Sequence, residues 1–175
     1  KLSKKNIKIG ILGGTFDPPH IGHLHISKVA IKKLRLNKLM WIITEKNPLK
    51  QKPSLSVKTR IKLSKKITIS ERKIFVQCLE GKIKSKNTFD LLNYIKSKNK
   101  KVKIFFLMGA DNFVRFHKWK NWKKIPDLAK LVIFARQNYS IKALNSIASK
   151  KLKKKAWIYI PGKKVNISSS LIRKF

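Results

Sequence analysis

Residues 13–23 read GGTFDPPHIGH: a glycine pair, a proline pair and two histidines packed in behind an apolar run. Such a stretch can neither prolong a strand nor sit within a helix, because proline fixes φ and withdraws a backbone donor. It can bring backbone amides and imidazoles to one point. Gly13 and Gly14 allow the main chain to approach a bulky anion closely. His20 and His23 are three apart, so a helix starting there sets one above the other. That end of a helix already carries partial positive charge and free amides. Imidazoles added to it suit an oligophosphate, with donors aimed at oxygens that gain charge in a transition state. The stretch is not a P-loop, since no Gly-Lys-Ser/Thr follows, and it lacks the glycine pattern of a dinucleotide fingerprint. Zinc held by His20, His23 and His25 would need a metalloprotease glutamate or cysteine partners, and neither is present. His25 is read as an ordinary surface residue.

The elements that must position this turn follow from apolar runs and their spacing. Strands are expected at 7–12, 39–44, 74–79, 102–109, 131–135 and 156–160. Between them, helices are expected at 23 to about 35, at 56–70, from a capping Thr88 with Phe89, Leu92 and Ile95 on one side, and from Asp111 until an interruption near Trp119. The lysine cluster at 142–155 reads as exposed helix and loop, and the terminal NISSSLIRKF as a serine cap entering a last helix. Strands alternating with helices at this spacing imply an α/β fold with a doubly wound parallel sheet, and no repeat or linker divides residues 1–175 into more than one domain. In such sheets ligands bind beyond the carboxyl ends of the strands, where the strand order reverses.

Composition narrows the partners. The net charge of +37 raises nucleic-acid binding as a rival, with steeply salt-dependent affinity. Yet 38 of the 44 basic residues are lysine, spread along the whole chain, whereas nucleic-acid recognition favours the planar arginine fork. The charge is read as a solvated surface, with no specific nucleic acid as partner. One cysteine, Cys78, excludes a disulfide framework and a four-cysteine zinc site. No apolar run approaches the roughly 18 residues of a membrane span, and the apolar part of the N-terminal segment is too short for a signal peptide. A cytoplasmic protein without a membrane partner is expected.

GGTFDPPHIGH resembles the T/HxGH signature of the nucleotidylyltransferase superfamily, and ISSSLIR, residues 167–173, resembles its second signature, ISSTxIR, with Ser170 in place of threonine. The HxGH form also occurs in class I aminoacyl-tRNA synthetases, which need several hundred residues and a KMSKS loop. Within the superfamily, nearly the whole chain is similar to the bacterial nicotinate-nucleotide adenylyltransferases. The GGTFDPxHxGH wording, NPLK at 47–50, GADNFVRFHKW at 109–119 and LVIFARQNY at 131–139 carry that likeness.

The resemblance implies a Rossmann-like fold and transfer of the adenylyl group of ATP to nicotinate mononucleotide, giving deamido-NAD and pyrophosphate. A sister transferase acting on nicotinamide mononucleotide, or on another phosphorylated acceptor, is the runner-up. By resemblance, His20, His23 and Arg173 are catalytic, holding the phosphates of ATP, with Ser168 and Ser169 beside the arginine. Gly13, Gly14, Thr15 and Phe16 line the ATP side up to the junction of the two substrates, while Gly109 and Asp111 receive the adenosine. Lys50, Thr88, Trp119 and Arg136 face nicotinate mononucleotide: Trp119, or Trp122 in its stead, stacks on the pyridine ring, Thr88 offers amides to the carboxylate, and Arg136 neutralises the phosphate. Each has a plainer alternative: Asp111 as an N-cap, the tryptophans as core, Lys50 as one solvated charge among many. Mg²⁺ is expected on the ATP phosphates and water, with no protein ligand to the metal. Family members usually continue past the ISSSLIR helix, so a further segment after Phe175 is expected unless the enzyme is minimal. Homo-oligomer formation is left open.

Overall fold

A computed structural model describes residues 6–45 and 51–162. Six strands form one sheet in the order β3-β2-β1-β4-β5-β6, with every neighbouring pair parallel. In chain order the elements are β1 (Lys8–Gly14), α1 (Ile21–Leu34), β2 (Lys38–Ile43), α2 (Val57–Ile67), β3 (Ile74–Gln77), α3 (Glu80–Ile83), α4 (Thr88–Lys98), β4 (Lys103–Gly109), α5 (Ala110–Val114), β5 (Ala129–Phe134), α6 (Ser140–Leu144), α7 (Ile147–Lys151) and β6 (Trp157–Ile160). All six expected strands are present. The order reverses at β1, whose two neighbours are β2 and β4. That reversal places the first turn at the switch point.

Alternation along the strands divides the core into two layers. Ile9 and Ile11 of β1 face a cluster shared with Leu92 and Ile95 of α4 and Phe113 of α5. Leu12 faces the other, where Ala30 of α1, Trp41 and Ile43 of β2 and Ile160 of β6 are buried. Burial of each large apolar side chain contributes roughly 1.5–3 kcal/mol, so the central strands are the rigid base on which the loops stand.

Several boundaries differ from the sequence expectation. β1 runs through Gly13 and Gly14 instead of stopping before them, because Ile42 and Ile43 of β2 continue the parallel register and Thr44 N–H donates to Gly14 O at 2.8 Å. α4 is capped not by Thr88 but by Asn87, whose Oδ1 accepts from Asp90 N at 2.9 Å; Thr88 is the first residue inside. Asp111 is not an N-cap either: Gly109 occupies that position and α5 ends at Val114, followed by 3-10 turns at Phe116–Lys118 and Trp122–Asp127. α2 is shorter than expected, and its inward face includes Arg60 and Ser64 besides Ile61 and Ile67.

Candidate active site

The turn after β1 is built around two histidines that cap a helix. His20 has extended backbone (φ −147°, ψ 173°), as an N-cap must. Its Nδ1 accepts from Gly22 N at 3.0 Å, while its own N–H donates to His23 Nδ1 at 3.1 Å. The pair satisfies two helix-start donors reciprocally, in the manner of a capping box. With each Nδ1 acting as acceptor, each ring carries its proton on Nε2. In that tautomer each imidazole donates through Nε2. Their ring centroids lie 3.9 Å apart. Burial, and then the charge of Arg136, hold the His20 pKa below its ordinary value of 6.5, which favours the same neutral form.

A column of aromatic rings fixes His23. Phe16, 1% exposed, lies 4.6 Å from the His23 ring and is stacked 4.9 Å from Trp41 of β2. Phe16 takes a left-handed backbone (φ 51°), which turns its ring back under the helix. Trp41 Nε1 donates to Ser27 Oγ at 2.8 Å, and Ser27 Oγ donates to His23 O at 2.8 Å, so β2 also anchors the first turn of α1. Gly13 is exposed, and among the described residues a Cβ there would meet only Phe106 Cζ at 3.9 Å; one at Gly14 would touch the Phe16 ring at 3.5 Å. The end of β1 is thus bare main chain on one side and backed by Phe16 on the other.

The neighbouring strand ends supply the opposite wall. Asp111, just past β4, accepts at Oδ2 from Arg136 Nη1 at 2.8 Å, just past β5. Among the described residues Asp111 Oδ1 is buried with no hydrogen-bond partner, and an acceptor so placed suits a hydroxyl or amine donor. A Cβ on Gly109 would come within 2.6 Å of that oxygen, so only glycine leaves it room. Arg136, expected from the sequence only as a counter-charge to a phosphate, is also the clamp on Asp111 and a charge felt by His20.

Trp119 packs edge-on against Phe106 (6.0 Å) and Phe116 (5.2 Å), and so shares Phe106 with Gly13. Trp122 touches Phe116 edge-on at 6.1 Å and carries the Lys123 ammonium 5.6 Å over its ring, one residue further out. At the start of α4, Asp90 accepts from Ser85 Oγ at 2.6 Å and Asn87 Nδ2 at 2.8 Å, bonds that lower its pKa and keep it ionised beside Thr88. Lys50, Ser168, Ser169 and Arg173 lie outside the described residues. Two residues at the turn were given no role by the sequence: Asp17, 2% exposed, whose oxygens accept from Ser54 N at 2.7 Å and Leu55 N at 2.9 Å, and Arg60. The signal for Arg60 was its identity, one of only six arginines in a lysine-saturated chain.

Residues 11–175 match the family model described as cytidylyltransferase-like. A Pelagibacter ubique protein named probable nicotinate-nucleotide adenylyltransferase is 49% identical over 173 residues, covering 99% of this chain and 96% of that protein. A protein of the same name from Bradyrhizobium sp. (strain ORS 278) is 32% identical, covering 95% of each. Among solved structures, Plasmodium falciparum nicotinic acid mononucleotide adenylyltransferase complexed with NaAD superposes with a TM-score of 0.78 at 24% identity, over 97% of this chain and 83% of that one. This last likeness carries the fold. Among the described residues no helix is long and apolar enough to cross a membrane.

Proposed function

The chain belongs to the cytidylyltransferase-like family and, within it, to the nicotinate-nucleotide adenylyltransferases; from that premise we propose how its residues carry out the family's reaction. The enzyme transfers the adenylyl group of ATP to nicotinate mononucleotide in NAD biosynthesis. A phosphate oxygen of the mononucleotide bonds to the α-phosphorus, the bond from that phosphorus to the α–β bridging oxygen breaks, and pyrophosphate leaves with the electron pair. The attacking phosphate is ionised at neutral pH, so no general base is needed, and catalysis consists of positioning and charge stabilisation.

The observation that carries the reading is the reciprocal cap: both Nδ1 atoms are occupied by backbone amides, so both imidazoles are fixed as Nε2–H donors. Neutral donors held in place without reorganisation suit phosphate oxygens that gain charge as the α–β bond breaks. Asp111 Oδ1 takes a hydroxyl or amine of the adenosine, with Gly109 keeping the space open. Arg136 stands between the two substrates, tied to Asp111 and within electrostatic reach of His20. Trp119 is the stacker for the pyridine ring, because it borders Gly13 through Phe106, while Trp122 is one ring removed. Thr88 and Lys50 on the acceptor side, and Arg173, Ser168 and Ser169 on the triphosphate, complete the assignment by family likeness. Mg²⁺ comes with ATP. The donors at the turn are imidazole N–H groups and a guanidinium, which meet phosphate oxygens and not a cation, so the ion fits on the triphosphate and water. We place the enzyme in the cytoplasm, where a single free Cys78 remains reduced.

Pyrophosphate release from ATP and Mg²⁺ with either mononucleotide tests the assignment. Turnover at least tenfold higher with the nicotinate form is expected. Equal or faster turnover with the amide would transfer the chain to the sister activity.

A further inference from the structure

Arg60 lies on the inward face of α2, 1% exposed, and among the described residues its guanidinium makes four hydrogen bonds, each to a main-chain carbonyl. Nε donates to Leu55 O at 3.1 Å, Nη1 to Thr15 O at 2.8 Å and Thr44 O at 2.6 Å, and Nη2 to Glu45 O at 2.9 Å. Taking a guanidinium out of water is costly, and an apolar side chain would serve helix packing as well. What an apolar side chain cannot do is grip four carbonyls at fixed angles. Those carbonyls lie past the end of β1 (Thr15), past the end of β2 (Thr44, Glu45) and just before α2 (Leu55).

Asp17 grips the same junction from the other side. Its Oδ1 accepts from Leu55 N–H, while Arg60 holds Leu55 C=O, so one residue is pinned at both of its polar main-chain groups. Phe16, the left-handed residue stacked on His23, lies between Thr15, held by Arg60, and Asp17, held by the Leu55 segment. The backbone that aims Phe16, and through it the imidazole, is therefore set by this double grip.

We propose that Arg60 is a positioning residue for adenylyl transfer, fixing the turn at 15–17 against the end of β2 so that Phe16 and His23 stay where the two substrates meet. The inference rests on the reading above. Arg60→Lys keeps the charge but replaces a rigid fork with a flexible point donor. A folded Arg60→Lys enzyme is expected to lose about 10- to 100-fold in kcat, since small misplacements of aligned groups cost that much. Its Kd for ATP should change less than threefold, and the His23 imidazole resonances should shift while those of His117 stay. A folded variant with kcat within threefold of wild type overturns the proposal. If Arg60→Lys does not fold, Asp17→Ala, which removes the acceptors of both Ser54 N–H and Leu55 N–H, takes its place: a tenfold fall in kcat of folded enzyme supports the grip, and full rate overturns it. Should wild-type protein show no transfer to nicotinate mononucleotide, the assigned reaction fails by itself. The His23 resonances then decide the positioning: shifted in the variant they support it, unshifted they overturn it.

Discussion

His20 and His23 share one helix cap: the backbone N–H of His20 donates to His23 Nδ1, and the Nδ1 of His20 accepts from Gly22 N–H. A residue expected to serve only phosphate therefore also closes a helix. His20→Ala should cost about 1 kcal/mol of stability for the lost cap, so a fall in turnover in that variant mixes two effects. His20→Asn separates them, because asparagine caps well but offers no Nε2–H. Thermal unfolding of His20→Asn at neutral pH should stay within about 1 kcal/mol of wild type, while kcat drops roughly 100- to 1000-fold, as when a transition-state donor is removed. Unfolding in step with the activity loss would make His20 structural.

The same cap predicts a pH dependence of known sign. His20 binds its proton less tightly when folded than its ordinary value of 6.5, through burial first and Arg136 second. Below 6.5 the unfolded chain thus binds more protons than the native one, and stability falls as pH falls. The His20 contribution is complete above about 6.5 and erodes toward the lowered folded value. An imidazolium also carries a proton on Nδ1, which removes the acceptor for Gly22 N–H. The unfolding midpoint of wild type should decline between pH 7.5 and 5.5 more steeply than that of His20→Asn. Equal slopes would remove His20 as the titrating group.

Gly109 and Asp111 are coupled by contact. The backbone at Gly109 (φ −76°) suits any residue, so the cost of Gly109→Ala lies in the 2.6 Å approach of the new Cβ to Asp111 Oδ1. Either the carboxylate leaves Arg136 or the strand end shifts, at about 1–3 kcal/mol. ATP affinity should weaken at least tenfold. The Asp111–Arg136 bridge is itself partly exposed and worth about 1 kcal/mol or less. Gly109→Ala added to Asp111→Ala should therefore cost little more than Asp111→Ala alone, as a chemical-denaturation double-mutant cycle will read. Full additivity would show that the clash is relieved elsewhere.

Most of the frame was legible because buried parallel strands are continuous apolar runs: KIFFLMG and AKLVIF of β4 and β5 announce themselves. The two histidines were legible by spacing from the turn. Neither pattern nor spacing could choose between adjacent capping residues, so Asn87 was passed over for Thr88; the bond from Asp90 N–H to Asn87 Oδ1 decides it. Arg60 was hidden more thoroughly. On an amphipathic helix of lysines a cation reads as solvated, and only tertiary structure brings the carbonyls of residues 15, 44, 45 and 55 around it. Long-range main-chain acceptors leave no mark in a local pattern.

The two tryptophans after α5 make the acceptor side testable. Trp119 is half-buried, with Phe106 of β4 at its edge, and that ring also borders Gly13 of the first turn. Trp122 leans on Phe116 alone among these rings and has a lysine ammonium over its face. Both substitutions to leucine should lower stability by a similar roughly 1–3 kcal/mol, since each removes an aromatic packed at the rim of the same cluster. Their kinetics should part. Trp119→Leu should raise KM for nicotinate mononucleotide about tenfold, the worth of one stacked ring, with KM for ATP unchanged. Trp122→Leu should leave both KM values within about twofold. If steady-state kinetics on the two folded variants show the reverse split, the pyridine ring lies on Trp122, and the acceptor pocket extends outward from the sheet along Trp122–Asp127 instead of up the face of β4.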